Sequence, residues 1–358
     1  MRKALVAGGV VVIVGFLGAW QFGFFDKADL LNPIDRVLEA DIDPMALRWE
    51  EVQGIPWEPR DSHAVYIYRG ALWMSGGLNA QDSKINPTTP DYQKAVYFND
   101  IWKSEDGMRW EKVVQHAEFP VIRSTSVYER DGNAYMIGGW SPDEGYGVGM
   151  WKSLDGLDWT KLRSRLPFGN REGQRIVEFN GKIYMLGGVN YDQRKLFNDV
   201  WVTEDGENWR LVAGSNPWEG RWDFDVTVYK GKMWIAGGMA FAGVGYGDVW
   251  SSSDGVSWEK VADLAPWGKR QGQNLFTYKG RMWIVTGLDA ATNEGEADTW
   301  VTEDGLNWQK VPAVGPWLGR EDQAGIIFKD RMWILGGMDS EWNWHNDVWY
   351  AAFGEASS

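Results

Sequence analysis

The sequence predicts an all-β, six-bladed β-propeller, and three features of it carry that prediction. A tryptophan recurs every 49 or 50 residues, at Trp102, Trp151, Trp201, Trp250, Trp300 and Trp349. The pattern Trp-x-Ser/Thr-x-Asp-Gly-x-x-Trp begins at each of these tryptophans except the last, where the chain ends. A strand-like segment before the first unit copies the end of the later units. A fixed period near fifty residues indicates a repeat array.

Each unit contains four strand-like runs. In the fourth unit we expect strands at Asp225–Tyr229, Met233–Ala236, Asp248–Ser251 and Trp258–Val261. Lys230-Gly231 and Asp254-Gly255 are hairpin-turn dipeptides that separate the first two and the last two runs. One unit is therefore a four-stranded antiparallel sheet, which is a propeller blade.

The ends of the chain predict how the ring closes. The sixth unit lacks a fourth strand, while Trp49–Val52 matches the fourth strand Trp110–Val113 of the first unit. Pairing of this N-terminal strand with the last blade would remove the free sheet edges. We expect a propeller over residues 47–350 and a C-terminal tail over 351–358.

The N-terminus predicts a membrane anchor. Arg2 and Lys3 precede 22 uncharged residues, Ala4–Phe25, which at helical rise are enough to cross a bilayer. The basic residues should stay inside, which places the propeller outside the cytoplasm, in the periplasm of a Gram-negative cell. Residues 1–25 are the anchor and 26–46 a linker. The alternative is a signal peptide that is cleaved, with the protein secreted.

Composition excludes several classes of function. The net charge of −14 and the pI of about 4.8 argue against nucleic acid as a partner. With no cysteine and three histidines, thiolate and multi-histidine metal centres are not expected. We expect no cofactor and no metal.

A glycine pair ends the second strand of most units. It stands at Gly76-Gly77, Gly138-Gly139, Gly187-Gly188, Gly237-Gly238 and Gly336-Gly337, with Thr286-Gly287 in the fifth unit. With the aromatic residues downstream, this pattern resembles that of kelch-repeat propellers over residues 47–350, although Trp replaces their usual Tyr in the third strand. Bacterial sialic-acid mutarotases and the central domain of galactose oxidase are similar architectures. The copper-radical chemistry of galactose oxidase needs a Cys-crosslinked Tyr, which this chain cannot supply because it has no cysteine.

One face of the propeller should carry the long loops, and binding residues concentrate on such loops. Four tryptophans of this face stand outside the repeating columns, at Trp140, Trp222, Trp342 and Trp344. Tyrosines in the same loops are Tyr146, Tyr191 and Tyr246. These rings are candidates for stacking on a sugar or packing on a protein partner. Alternatively, these rings pack over the neighbouring blades and have a structural role.

An arginine begins each unit on the same face. The six are Arg60, Arg123, Arg171, Arg221, Arg270 and Arg320. As a ring at the channel mouth they are candidates for binding carboxylate or phosphate, as the resemblance to peptide-binding kelch domains implies. Alternatively, adjacent acids such as Asp61, Glu172 and Glu321 neutralise them. Arg123 is the best candidate for a free guanidinium, because Ser124, Thr125 and Ser126 follow it.

These observations favour a membrane-anchored binding or assembly module that docks a protein or a glycan on the loop face. The alternative is a carbohydrate-active enzyme, a sugar-acid isomerase or a glycosidase, with Glu172, Asp223 and Glu321 as candidate carboxyls. No residue stands out from the repeat as catalytic. An insertion at residues 79–97 of the first unit is long enough to cap the channel or contact a partner.

Overall fold

The computed structural model describes residues 42–86 and 89–353, which form six antiparallel blades. The predicted anchor and most of the linker, residues 1–41, lie outside the described residues, as do 354–358 of the tail. In the part of the chain that is described, we find no helix with the length and apolar character needed to span a bilayer. The all-β, six-bladed architecture is the predicted one.

The blades are numbered 1 to 6 in the chain order of their first strands. The first strands are Ala64–Tyr68, Ser126–Arg130, Arg175–Phe179, Asp225–Tyr229, Asn274–Tyr278 and Ala324–Phe328. The second strands are Ala71–Ser75, Asn133–Ile137, Lys182–Leu186, Lys232–Ala236, Arg281–Val285 and Arg331–Asp339. The third strands are Ile101–Ser104, Met150–Ser153, Val200–Thr203, Val249–Ser252, Thr299–Thr302 and Trp344–Phe353. The fourth strands are Glu111–Val114, Trp159–Arg163, Trp209–Ala213, Glu259–Ala262, Trp308–Val311 and, for blade 6, Leu47–Val52.

Short elements occupy the loop face and the entry to the ring. Two-stranded ribbons pair Leu78–Asn79 with Val96–Tyr97, Lys84–Asn86 with Thr89–Pro90, Val189–Asn190 with Lys195–Leu196, and Met239–Ala240 with Val244–Gly245. Arg320–Glu321 adds a short strand to blade 6. One-turn 3-10 helices lie at Pro44–Ala46, Gln81–Ser83, Tyr146–Val148 and Phe241–Gly243. The first two ribbons and the second 3-10 helix lie in the predicted insertion.

The N-terminal strand closes the ring. Leu47–Val52 pairs antiparallel with the third strand of blade 6, in a register running from Leu47 opposite Phe353 to Val52 opposite Val348. Leu47 is buried, and the Trp49 ring packs edge-on against Trp317 with centroids 5.1 Å apart. Blade 6 therefore combines the two ends of the propeller.

The Asp-Gly turns lock neighbouring blades together, which explains why they repeat. In blade 1, Asp106 Oδ1 accepts the backbone N–H groups of Met108 and Arg109, both at 2.9 Å. Gly107 has φ +80° and lies on the Trp333 ring of blade 6, where an added Cβ would come within 2.6 Å of the ring. Only glycine fits such a position, since it combines a positive φ with this close approach. The equivalent turn glycines of blades 2 to 5 contact a second-strand aromatic of the preceding blade in the same way, at Trp73, Tyr135, Tyr184 and Trp234.

The first strands of adjacent blades contact one another around the central axis. The tight turns lie at one end of this channel. At the other end, on the loop face, each chain segment leading into a first strand passes the channel mouth.

Candidate functional site

Five of the six predicted arginines form a buried ion pair inside their own blade, which we call the framework pair. Each donates through Nη1 to the carbonyl of the first residue of the glycine pair and to an aspartate two residues before the third-strand tryptophan. The framework pairs are Arg60–Asp100, Arg171–Asp199, Arg221–Asp248, Arg270–Asp298 and Arg320–Asp347, with N–O distances of 2.6–2.8 Å. These arginines are at most 2% exposed. They do not line the channel mouth, and their partners are not the adjacent acids that the sequence suggested.

Aromatic rings cover several framework arginines. The Cζ of Arg221 lies 4.1 Å from the centroid of the Tyr246 ring, and Phe98 and Phe197 cover Arg60 and Arg171 in the same manner. Tyr246 therefore belongs to the framework of blade 4. In blade 1, burial raises the pKa of Asp100, but the hydrogen bonds and charge of Arg60, with smaller contributions from Trp102 and Lys112, together outweigh burial and the pKa is lowered.

Blade 2 departs from this scheme at both positions. Ile122 stands where the other blades have the framework arginine, and Gly149 stands where they have its aspartate. Ile122 is fully buried, so an apolar side chain replaces the ion pair. Arg123 is one residue later than the other five arginines, and this places it at the channel mouth. The prediction that all six arginines occupy equivalent positions is therefore wrong by one residue at Arg123.

The position after the framework residue forms a ring around the channel mouth, which we call the ring position. From blade 1 to blade 6 it holds Asp61, Arg123, Glu172, Trp222, Gln271 and Glu321. Each of these pairs with the residue after its glycine pair, as Asp61 does with Leu78 and Glu321 with Met338. The second glycine permits this approach: a Cβ on Gly77 would lie 2.6 Å from the carbonyl oxygen of Asp61.

The residue after each ring position turns the chain into the first strand with a positive φ of 50–65°. These residues are Ser62, Ser124, Gly173, Asp223, Gly272 and Asp322. Together with the ring positions, all of them except Gly272 line a cavity of about 360 Å³. We call it the mouth cavity.

Aromatic side chains form part of the wall of the mouth cavity. Trp222 comes from the ring itself, Tyr191 from the loop of blade 3, and Tyr92 from the insertion of blade 1. Tyr191 and Phe241 hold Trp222 in place, with ring centroids 5.6 and 5.4 Å from it. Tyr191 is 43% exposed, so its ring is available at the entrance.

Arg123 is paired, contrary to the prediction of a free guanidinium. Its Nε lies 2.9 Å from Glu172 Oε2 and its Nη2 lies 3.2 Å from Glu172 Oε1. The Tyr146 hydroxyl donates to the same Oε1 at 2.9 Å, and the Trp140 ring lies 4.8 Å from the Arg123 Cζ. Burial lowers the pKa of Arg123, but the charge and hydrogen bonds of Glu172, with smaller contributions from Tyr97 and Tyr191, outweigh burial, so the pKa is raised and the guanidinium stays charged. Tyr146 and Trp140 thus hold this ion pair and do not line the cavity.

Four other carboxyls line the mouth cavity. They are Asp61, Asp223, Glu321 and Asp322, and no salt bridge to them is found among the described residues. Asp61 accepts a hydrogen bond from Trp344 Nε1 at 2.8 Å, Asp322 accepts one from Ser62 Oγ at 3.0 Å, and Glu321 accepts one from Gln271. Trp344 therefore lies behind Asp61, in a cluster with Leu78, Met338 and Trp342 beneath the insertion.

Three of these carboxyls, Asp61, Asp223 and Glu321, favour protonation because they are buried and close to other acids. Burial raises the pKa of Glu321 to about 8, with added repulsion from Asp322 and Asp61. Burial, followed by repulsion from Asp322, also raises the pKa values of Asp61 and Asp223. Protonation of Glu321 stabilises the fold: that contribution is complete below its ordinary pKa and is lost as the pH rises through about 8.

The structure thus brings together only part of the predicted site. Of the thirteen residues proposed from the sequence, Arg123, Trp222 and Tyr191 line the mouth cavity. Asp61, Gln271, Asp322 and Tyr92 also line it and were not on that list. Asp61 and Gln271 could have been found from the sequence, because they directly follow the framework arginines Arg60 and Arg270.

Comparison with known proteins agrees with the fold. A family model described as the DUF6242 beta propeller domain matches residues 155–300. No curated protein matches the chain. A solved structure titled "Structure of YjhT" superimposes with a TM-score of 0.63 at 17% identity, over 83% of this chain and 95% of that chain. The chain is a β-propeller protein, and likeness at this level of identity shows the fold alone.

Proposed function

We propose that this protein binds a glycan in the mouth cavity. The observation that carries the proposal is the pairing of an aromatic wall, Trp222 and Tyr191, with a ring of carboxyl and amide groups in one concave site. Sugars present apolar C–H faces and hydroxyl groups, which such a wall and such a ring complement. A volume of about 360 Å³ lies within the range of small-ligand pockets. The concave shape favours the end of a glycan over a flat protein surface.

A carbohydrate-active enzyme is the second candidate, and the raised pKa of Glu321 favours it. A carboxyl that stays protonated near neutral pH can serve as a general acid, and Asp322 and Asp61 beside it supply further carboxyls. A sugar isomerase or a glycosidase fits these groups. The binding experiment below separates the two candidates, because an enzyme would convert the bound sugar.

We also propose that the N-terminal segment anchors the protein in a membrane, and the point at which the chain enters the propeller supports an orientation. Leu47 pairs with Phe353 at the end of the last third strand, so the chain enters the propeller on the face of the tight turns. An anchor attached at this face would allow the mouth cavity, at the opposite end of the channel, to point away from the bilayer. Intact mass of protein recovered from membranes tests the anchor, since a mature N-terminus after residue 25 would contradict it.

We further propose that the blades are kelch repeats. The glycine pairs support this, because both members have a positive φ and let the ring residue approach, as Gly76 and Gly77 do in blade 1. An alignment of homologues in which these glycines vary freely would contradict the proposal.

The glycan proposal is tested by probing a glycan array with the full-length protein and measuring the affinity of the best hit by calorimetry. Replacing Trp222 or Tyr191 by alanine should weaken that affinity about thirtyfold, or roughly 2 kcal/mol, because each removes an aromatic anchor. NMR of the same mixtures reports whether the sugar is converted.

Trp342→Ala is the matched control, since Trp342 is an aromatic residue of the same face outside the mouth cavity. It should keep the wild-type affinity. Melting temperatures of all three variants separate loss of contact from loss of fold. Absence of any glycan ligand, or unchanged affinity in both cavity variants, would reject the proposal.

A further inference from the structure

The mouth cavity has an excess of carboxyl groups over cations. Five carboxyls line it, at Asp61, Glu172, Asp223, Glu321 and Asp322, against the single guanidinium of Arg123. Glu172 takes up that guanidinium in a two-point ion pair. The nearby Arg175 donates through Nε to the Phe224 carbonyl at 2.7 Å and lies 3.6 Å from Asp225, and its charge only partly offsets the rise in the pKa of Asp223. Within the described residues, the other four carboxyls therefore form no ion pair.

Hydrogen-bond acceptors in the cavity also lack donors. Asp61 and Gln271 are 3% and 6% exposed, and each has one side-chain oxygen without a hydrogen-bond partner among the described residues. The amide nitrogen of Gln271 already donates to Glu321, and Arg123 already donates to Glu172. Buried acceptors are normally satisfied, so these vacant lone pairs indicate a ligand that brings donors.

Resting on the glycan site proposed above, we propose that the ligand is a cationic amino sugar. Its ammonium group would lie against Asp61, Glu321 and Asp322, beside the side-chain oxygen of Gln271, and its ring against Trp222 and Tyr191. An ammonium group supplies three donors and one positive charge, which is what the cavity lacks. The aromatic wall adds attraction, since cations bind favourably to aromatic faces.

This ligand fits the electrostatics of the cavity. In the protein alone, repulsion from Asp322 and Asp61 adds to burial and keeps Glu321 protonated near neutral pH. A bound ammonium would favour ionised carboxylates and so release protons. An anionic sugar would instead meet the full set of carboxyls and be excluded.

Three disaccharides that differ only at the C2 substituent test the proposal with the full-length protein. They are the β-1,4 glucosamine dimer with free amines, its N-acetylated form, and cellobiose. Calorimetry is run at about pH 6, where the amines are protonated. We expect the free-amine dimer to bind at least tenfold tighter than the other two, and to release protons when measured in buffers of different ionisation enthalpy.

Glu321→Gln and Asp322→Asn keep the shape of each side chain but cannot ionise. Each should lower the preference for the amine over cellobiose at least fivefold, because only the amine loses an ionic partner. Glu58→Gln, an exposed carboxylate of the same face outside the cavity, should keep the preference. Equal or tighter binding of a neutral dimer would overturn the amino-sugar inference and leave the glycan site in place. Failure of all three sugars, together with an empty glycan array, would overturn both.

Discussion

Replacement of Arg221 by isoleucine should lower the free energy of unfolding by about 3–5 kcal/mol, because it leaves Asp248 without its cation. Arg221 is fully buried and donates to both carboxylate oxygens of Asp248, at 2.6 and 3.0 Å. It also donates to the carbonyls of Gly237 and Glu219. The variant would leave several buried acceptors without a donor. Denaturant unfolding measures the resulting loss of stability.

Blade 2 supplies the control for this prediction. Ile122 and Gly149 show that a blade of this chain can be built with neither charge. The double variant Arg221→Ile with Asp248→Ala should therefore recover part of the stability, since removal of both members of a buried ion pair is often close to neutral. A single variant within about 1 kcal/mol of the wild type, or a double variant less stable than the single one, would contradict the role given to the framework pair.

The same comparison shows what the sequence could predict. Period, turn chemistry and the N-terminal strand predicted six blades and their closure, because each depends on spacing along the chain. In blade 4 the predicted and observed first strands coincide at Asp225–Tyr229, and the other three differ by one residue. The last strand runs to Phe353, beyond the predicted end of the propeller at residue 350.

The site was harder to predict because it depends on single-residue register. Arg60 and Gly76, its carbonyl partner, are 16 residues apart, and the other framework arginines keep this spacing. Counted in the same way, Gly138 leads back to Ile122 and not to Arg123. One residue of displacement moves an arginine from the blade interior to the channel mouth. That displacement is visible in the sequence once the spacing of the pair is known.

Other assignments needed the three-dimensional structure. Trp344 and Trp222 are both loop-face tryptophans outside the repeat, yet Trp344 donates to Asp61 from behind the cavity while Trp222 lines it. Tyr92 reaches the cavity from the insertion of blade 1, and two short ribbons within that insertion determine the course of its backbone. Sequence spacing does not determine such side-chain directions, since no repeat constrains these loops.

Deletion of residues 47–53 should remove the folded monomer altogether. The deletion takes away the strand that pairs with Val348–Phe353 and exposes an edge of backbone N–H and C=O groups. It also exposes part of the hydrophobic core, because Leu47 packs with Phe276, Trp283 and other residues between blades 5 and 6.

Leu47→Ala alone should lower the free energy of unfolding by about 2–5 kcal/mol. Arg48→Ala is the matched control in the same strand. The Arg48 side chain is 59% exposed and its ion pair within the described residues is with the neighbouring Glu50, so the effect should stay below about 1 kcal/mol. Size-exclusion chromatography and thermal melting measure both effects. A truncated protein that remains monomeric with an unchanged melting temperature would show that the ring does not depend on its N-terminal strand.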